Sequence, residues 1–327
     1  MDAAVTLSLT GPFARQGQDA ADGLALWAQE AGVRLAIVDD GGSGPAAIRA
    51  YVAWLDDGVD LLIGSYGSGL VRAVAPLVCG HGRLLWNHGG SADDLARPGL
   101  VSLPAPASTY FDGAVDEAAA HRVDRLLIVR GAGPFARAVA AGAARRASMR
   151  GMDARMVRAG ALTAEDAVGA AVLVVGRFEQ DVALVRRLRR WPRGAALLGA
   201  VAAGLPAFGG LGDAAEGVLG RVQWLPTSRT PQVGPSGIDF AERHRRRTGR
   251  EPSYVAAQAA AAGYLAHAAH QLGSATGAVQ QWTTSTMLGG FALDAAWRQV
   301  GHRVMTIRWQ DGRMVPLTHG RGAASSV

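Results

Sequence analysis

Apolar residues in the first hundred positions fall into two alternating kinds of run. Short uninterrupted ones, Ala4–Leu9, Leu35–Val38, Leu61–Ile63 and Leu84–Trp86, have the length and composition of buried parallel strands. Between them lie longer stretches with helical spacing. These are Gln18–Glu30, with Ala21, Leu24, Ala25 and Ala28 on one face, then Pro45–Asp56 and Val71–Cys79. A repeated strand–helix unit with short loops predicts a doubly wound parallel sheet.

Pro104-Ala105-Pro106 interrupts this rhythm, which then restarts. Helices are predicted over Phe111–Ala120, Phe135–Met149 and Val182–Arg190. Strands are predicted over Arg125–Val129, Asp153–Val157, Ala171–Val175, Ala196–Leu198 and Val218–Gln223. Leu225-Pro226 opens a Pro/Gly loop that runs through Gly237, and helices Ile238–Thr248 and Tyr254–Leu272 follow. The end of the chain reads as a β-hairpin, His302–Trp309 and Arg313–Pro316 around Asp311-Gly312. Gly320–Val327 has the composition of a disordered tail. The pattern holds two similar α/β lobes, and 327 residues exceed one comfortable core.

Composition narrows the function more by exclusion than by support. The formal charge is +6, yet all 33 basic residues are Arg, no Lys occurs, and Asn87 is the one Asn. A GC-rich genome explains that bias. The runs Arg186-Arg187-Leu188-Arg189-Arg190 and Arg243-His244-Arg245-Arg246-Arg247 read as solvated helix faces without an aromatic stacking stripe, so no nucleic-acid partner is expected. Cys79 is the one cysteine, so no intramolecular disulfide forms, and its apolar helical setting is that of a small core residue. No Cys/His spacing suits a metal, no cofactor is expected, and no apolar run of about 18 residues spans a membrane. No leader precedes the first strand. The expected location is periplasmic, or extracellular and lipid-anchored, if a leader was trimmed, and cytoplasmic if Met1 is the native start.

Candidate chemistry concentrates in two loops. Gly64-Ser65-Tyr66-Gly67-Ser68-Gly69 follows Leu61–Ile63, and Asn87-His88-Gly89-Gly90-Ser91 follows Leu84–Trp86. Loops at the carboxyl ends of parallel strands are where open α/β sheets bind ligands. Free backbone N–H groups there suit an anion, and the Ser68 and Ser91 hydroxyls add donors that also accept. Together they describe a site for a carboxylate-sized group. One such loop alone reads equally well as a helix cap. Tyr66 and Trp86 sit in or beside these loops, and Asp40 and His88 are further polar candidates.

Motifs in order along nearly the whole chain resemble the type I periplasmic solute-binding proteins, in particular the branched-chain amino-acid-binding (Leu/Ile/Val-binding) family of ABC transporters. They are Leu9-Thr10-Gly11-Pro12-Phe13…Gly17, Asp39-Asp40, Ile63-Gly64…Ser68, Ala73…Pro76, Gly89-Gly90-Ser91, Glu216-Gly217-Val218, Pro252-Ser253-Tyr254 and Gly289…Phe291…Asp294. The resemblance implies two Rossmann-like lobes joined by a three-strand hinge and closing over a small-molecule ligand. The lobes would comprise residues 1–105 plus about 227–291, and about 106–226 plus 292–319, with 320–327 as a tail. It implies an ABC permease as partner. It places the ligand carboxylate, and part of its ammonium, on Ser68, Gly89 and Ser91. Phe135, Phe178 and Tyr254 fall where relatives set aromatic walls. Amino-acid binders of this kind carry an acid after the strand matching Ala196–Leu198, and here Val201 occupies that place. A buried ammonium without a counter-charge is expensive. Glu179 is the candidate substitute; otherwise the ligand is a carboxylate without an amine, such as an aromatic or branched organic acid.

Two other readings stand beside this one. A cytosolic ligand sensor would use the same fold. An NAD(P)-dependent enzyme would use Gly131-Ala132-Gly133-Pro134-Phe135-Ala136, a G-x-G-x-x-A run after a strand with Asp153 beyond it. Against an enzyme, Asp153 begins a strand and the eight His show no catalytic spacing.

Overall fold

The computed structural model describes residues 1–273, 276–302 and 304–317; the expected tail lies outside them. The chain resolves into two compact units. The first comprises Met1–Thr109, Gly133–Val139 and Gln223–Val304; the second comprises Tyr110–Ala132, Ala140–Val222 and the chain from Met305 onward.

In chain order the first stretch carries β1 (Asp2–Leu7), α1 (Ala14–Ala31), β2 (Arg34–Asp39), α2 (Gly44–Asp56), β3 (Leu61–Ile63), α3 (Ser68–Gly80), β4 (Leu85–Asn87) and β5 (Leu100–Ser102). The middle carries α4 (Asp112–Ala120), β6 (Arg125–Arg130), α5 (Pro134–Met149), β7 (Asp153–Val157), α6 (Ala164–Ala167), β8 (Ala171–Val175), α7 (Phe178–Arg189), β9 (Leu197–Ala200) and β10 (Leu219–Val222). Then come α8 (Gly237–Thr248), α9 (Tyr254–Gln271), α10 (Thr276–Gln281), β11 (Thr284–Thr286) and β12 (Gly289–Phe291), with the hairpin β13 (Met305–Gln310) and β14 (Arg313–Pro316) last.

The first unit is built on a five-stranded sheet in the order β2-β1-β3-β4-β5, parallel throughout. One cluster on it joins Tyr51 and Trp54 of α2, Leu70, Val71 and Val74 of α3, and strand residues Leu62 and Leu85. Helix α9 packs against β3 and β4 and against α1. It is alanine-rich and buried on nearly every side, as a helix without a polar stripe must be. Small residues let α1 and α9 approach closely: a Cβ on Gly263 would lie 2.3 Å from the ring of the fully buried Trp27.

The second unit holds a seven-stranded sheet in the order β14-β13-β10-β9-β8-β6-β7. Strands β6 to β10 pair in parallel and β13 and β14 antiparallel. The uninterrupted apolar run of β8 is buried at all five positions, as a central parallel strand requires.

Three boundaries differ from the sequence reading in ways that matter for the site. Helix α3 begins at Ser68 rather than Val71, because Gly67 at φ +100° turns the chain straight into the helix. Helix α7 begins at Phe178 rather than Val182, its first turn closed by Gln180 Oε1 accepting from the Arg177 N–H at 3.1 Å. Strand β5 was not anticipated; its three residues follow Pro98-Gly99 and are too short for a periodic signal.

Gly263→Ala is expected to destabilise the protein by about 1–3 kcal/mol through overpacking against Trp27. Gly80→Ala, in the last turn of α3 with nothing within 4 Å of the new Cβ, is expected to be neutral or mildly stabilising. Urea unfolding of both variants checks the pair; equal stability would contradict the tight α1–α9 contact.

Candidate functional site

The order of the first sheet reverses between β1 and β3, which makes the carboxyl ends of these strands the topological switch point of the unit. The loops after β3 and β4 lie beside it. Ser68 is the first residue of α3, and no side chain caps this helix. As its first three residues, Ser68, Gly69 and Leu70 have N–H groups without a carbonyl one turn back, at the positive end of the helix dipole. A helix end of this kind suits an anion.

The second loop is organised by two side chains. Asn87 Oδ1 accepts from the N–H groups of Gly89 at 3.1 Å and Gly90 at 2.7 Å, while Nδ2 donates to the Gly90 carbonyl at 2.7 Å and to Ser102 Oγ at 2.9 Å. Ser68 Oγ accepts from the N–H groups of Ser91 at 3.2 Å and Ala92 at 3.0 Å. The Gly67 N–H donates to the Gly89 carbonyl at 3.2 Å. This corrects one expectation: the amides of Gly89, Gly90, Ser91 and Ala92 are engaged inside the protein rather than free. With both lone pairs of Ser68 engaged, its proton is the part able to serve a ligand oxygen.

Gly89 is required by close approach. A Cβ there would lie 2.7 Å from Tyr66 Cα and 2.8 Å from the Tyr66 ring. Tyr66 is half-buried, edge-on to Phe13 at 6.0 Å between ring centroids and tilted over His88 at 6.4 Å. The structure thus brings Tyr66, Ser68, Gly89 and Ser91 together, with Ser68 and Ser91 both buried. Trp86, in contrast, is a core residue of β4. Asp40 holds the turn after β2, its Oδ1 accepting from Ser8 Oγ at 2.6 Å and from the Gly42 N–H at 2.9 Å. The helix that follows is capped by Ser43 instead.

Tyr254 is the first residue of α9 and is half-buried. Its neighbour Ser253 caps the helix and donates to Asp19 Oδ2 at 2.7 Å. Phe135 is half-buried in the first turn of α5, in the segment Gly133–Val139 of the first unit.

In the second unit, Phe178 opens α7 after β8, and Val201 follows the adjacent β9; both are half-buried. Glu179 is exposed. The carboxyl group that reaches the Val201 loop is Asp181, whose Oδ2 accepts from the Ala202 N–H at 3.2 Å. Burial pushes its pKa well above the ordinary carboxylate value, against the lowering pull of the Ala202 and Gly176 amides. The sequence reading missed Asp181. Its signal was present: it lies three, four and seven residues before Leu184, Val185 and Leu188, on their buried stripe.

The dinucleotide reading fails on strand direction. Asp153 pairs with Arg125 at the start of β6, while the glycine run follows Arg130 at its other end. Five strand residues separate the two, about 16 Å. Among the described residues, no group of three or more His, Cys, Asp and Glu could hold a metal ion, and no helix is long and apolar enough to cross a membrane.

Residues 3–313 match the family model described as periplasmic binding protein, and the chain belongs to that family. No curated protein matches it. Its fold is similar to that of the leucine-binding protein LivK from Thermotoga maritima MSB8, at 17% identity and a TM-score of 0.82 over 97% of this chain and 98% of that one. It is also similar to the branched-chain amino acid transporter substrate-binding protein LivJ from Streptococcus pneumoniae, solved with isoleucine (15% identity, TM-score 0.81, 97% and 99% covered). A third similar structure is a solute-binding protein of an ABC transporter from Rhodopseudomonas palustris BisB5, solved with 3,4-dihydroxybenzoic acid (16% identity, TM-score 0.80, 97% and 96% covered). The fold expectation, two doubly wound lobes of the type I periplasmic binding protein class, is met.

His88 is wholly buried, and burial lowers its pKa to about 4 against the raising pull of a hydrogen bond to the Gly64 backbone. The unfolded chain therefore binds more protons than the folded one between about pH 6.5 and pH 4. The contribution of neutral His88 is fully present above pH 6.5 and is lost as pH falls towards 4. Between pH 7 and pH 4.5 the wild type is expected to lose about 2–3 kcal/mol more than His88→Phe. Urea unfolding at the two pH values checks this; parallel losses would contradict it.

Proposed function

We propose that this chain is the solute-binding protein of an ABC importer and captures a small carboxylate-bearing ligand. The observation that carries the reading is the uncapped first turn of α3, with Ser68 buried in it and tied to the Ser91 loop. A desolvated carboxylate finds there amides, a hydroxyl proton and a favourable dipole. Isoleucine and 3,4-dihydroxybenzoic acid, the ligands of two similar structures, share that group. In this reading Tyr66, Phe135 and Tyr254 supply apolar wall on the first unit, and Phe178 and Val201 supply it from the second. Binding shifts an equilibrium between open and closed arrangements, because only the closed one contacts ligand from both units. The partner is an ABC permease, the location is periplasmic or extracellular, and the chain carries no catalysis of its own.

Among carboxylates, the structural features favour one without an α-ammonium. Val201 offers no charge, and Glu179 is exposed to solvent. Asp181 is engaged with the Ala202 amide and biased by burial towards its neutral form. An ammonium would find no ready counter-charge, whereas the aromatic residues suit a flat or branched acid.

A thermal-shift screen of leucine and valine against benzoate and branched carboxylic acids tests both levels of the reading. A ligand at about 100 times its Kd stabilises by roughly 2.7 kcal/mol. The organic acids are expected to raise the melting temperature; a shift with leucine alone would reverse the ligand class. With a responding ligand, Ser68→Ala and Ser91→Ala are each expected to weaken binding about ten-fold or more by calorimetry. Ser68→Ala is expected also to lose stability, since it orphans the two buried amides of Ser91 and Ala92. Unchanged affinity in both variants would remove the loops from the site.

A further inference from the structure

Helix α2 turns one side to the core of the first unit and leaves the other bare. Ala47, Tyr51 and Trp54 are buried in the cluster shared with α3 and the sheet. Ile48 and Val52, one turn apart, are exposed at 36% and 42%. With Pro45, Arg49 and Asp56, which are also exposed, they lie about 120° or more around the helix from Trp54. Single exposed apolar side chains are ordinary on a protein surface. Here two stand together, and charges of opposite sign flank Val52. Helix α3 packs beside α2, and a Cβ on Gly44 would lie 3.4 Å from Ala73 Cβ. Ala73 is half-buried and Pro76 exposed, so the uncharged surface continues onto α3.

Arg49 and Asp56 stand two turns apart, about 10 Å along the axis. Neither side chain makes a hydrogen bond or ion pair among the described residues. Other arginines of this unit are committed: Arg72 of α3 to Asp94, Arg34 to Asp2, Arg243 to Glu30 and Arg250 to Asp22. One helix face thus presents a cation, an apolar patch and an anion in line, and that order is self-complementary. A two-fold axis perpendicular to α2 beside Val52 sets two copies antiparallel. Val52 then meets Val52, and Arg49 of each copy meets Asp56 of the other. Two ion pairs form from side chains that have none within one chain, and the helix dipoles oppose favourably. A different protein would have to supply an anion and a cation at the right spacing. A second copy supplies both by symmetry.

We propose that the outer face of α2, continued by the middle of α3, is a two-fold interface between two copies of this chain. The proposal stands apart from the ligand reading, since none of its residues belongs to the loops after β3 and β4. Stable dimers bury about 1,200–2,000 Å² in total, and one helix pair with its flank lies at the low end of that range. The association is therefore weak and depends on concentration.

Sedimentation velocity from about 1 μM to 1 mM protein reads the association. The wild type is expected to pass from monomer to dimer across that range. Val52→Glu sets a carboxylate against its own copy at the two-fold axis and is expected to stay monomeric. Arg49→Asp and Asp56→Arg each place like charges opposite one another and are expected to weaken the dimer about ten-fold or more. An equimolar mixture of these two variants restores opposite charges at both ends, and it is expected to associate about as tightly as the wild type. All three positions are exposed, so the substitutions leave the core packing of α2 in place. A wild type that stays monomeric throughout overturns the proposal. So does a dimer that survives Val52→Glu and both charge reversals, because it forms through another face. A mixture no tighter than its separate components overturns the antiparallel pairing of Arg49 with Asp56, and the interface with it.

Discussion

A single serine hydroxyl couples the two loops at the switch point of the first unit. Ser68 starts α3, and its Oγ holds the amides of Ser91 and Ala92, which belong to the next strand–loop unit. Leaving one buried amide unpaired costs about 1–3 kcal/mol, so the pairing fixes the relative positions of the loops as firmly as it satisfies them. Asn87 does the corresponding work within its own loop by engaging Gly89 and Gly90. The consequence is a division of labour. The β4 loop uses its amides to keep its shape, and no side chain caps the start of α3.

Preorganisation of this kind matters because a carboxylate loses its water on binding. The groups that replace that water must already be in place, or the ordering cost is charged to affinity. Tyr66 is held in the same way. It lies edge-on to Phe13 and tilted to the His88 ring, and it reaches that position only because Gly89 has no Cβ. Backbone, hydroxyl and ring thus form one connected arrangement in which each part limits the others.

The second unit presents a different balance. Val201 follows β9, and the carboxyl group that reaches its loop belongs to Asp181. That carboxyl fastens α7 to the segment after β9 through the Ala202 amide. A carboxyl used as an internal tie, with burial favouring its neutral form, is a poor counter-ion.

The strand–helix rhythm and the order of the main elements were legible in the sequence, because a buried parallel strand and an amphipathic helix leave different periodicities. The sequence already weighed against the G-x-G-x-x-A run, because Asp153 begins a strand. The pairing of β6 with β7 then put Asp153 at the end away from the glycines. Short elements such as β5 escaped because three residues carry no period. Tertiary structure alone decided which polar atoms are engaged. Hydrogen bonding is directional and depends on distance, so Ser68 and Ser91 looked equivalent in the sequence although one holds the other's amide. Asp181 and Glu179 stand two residues apart, and the turn of a helix makes one a buried tie and the other a solvated surface group. The sequence determined the architecture through apolar periodicity, a property of single segments. The site was decided by contacts among segments, which periodicity does not encode.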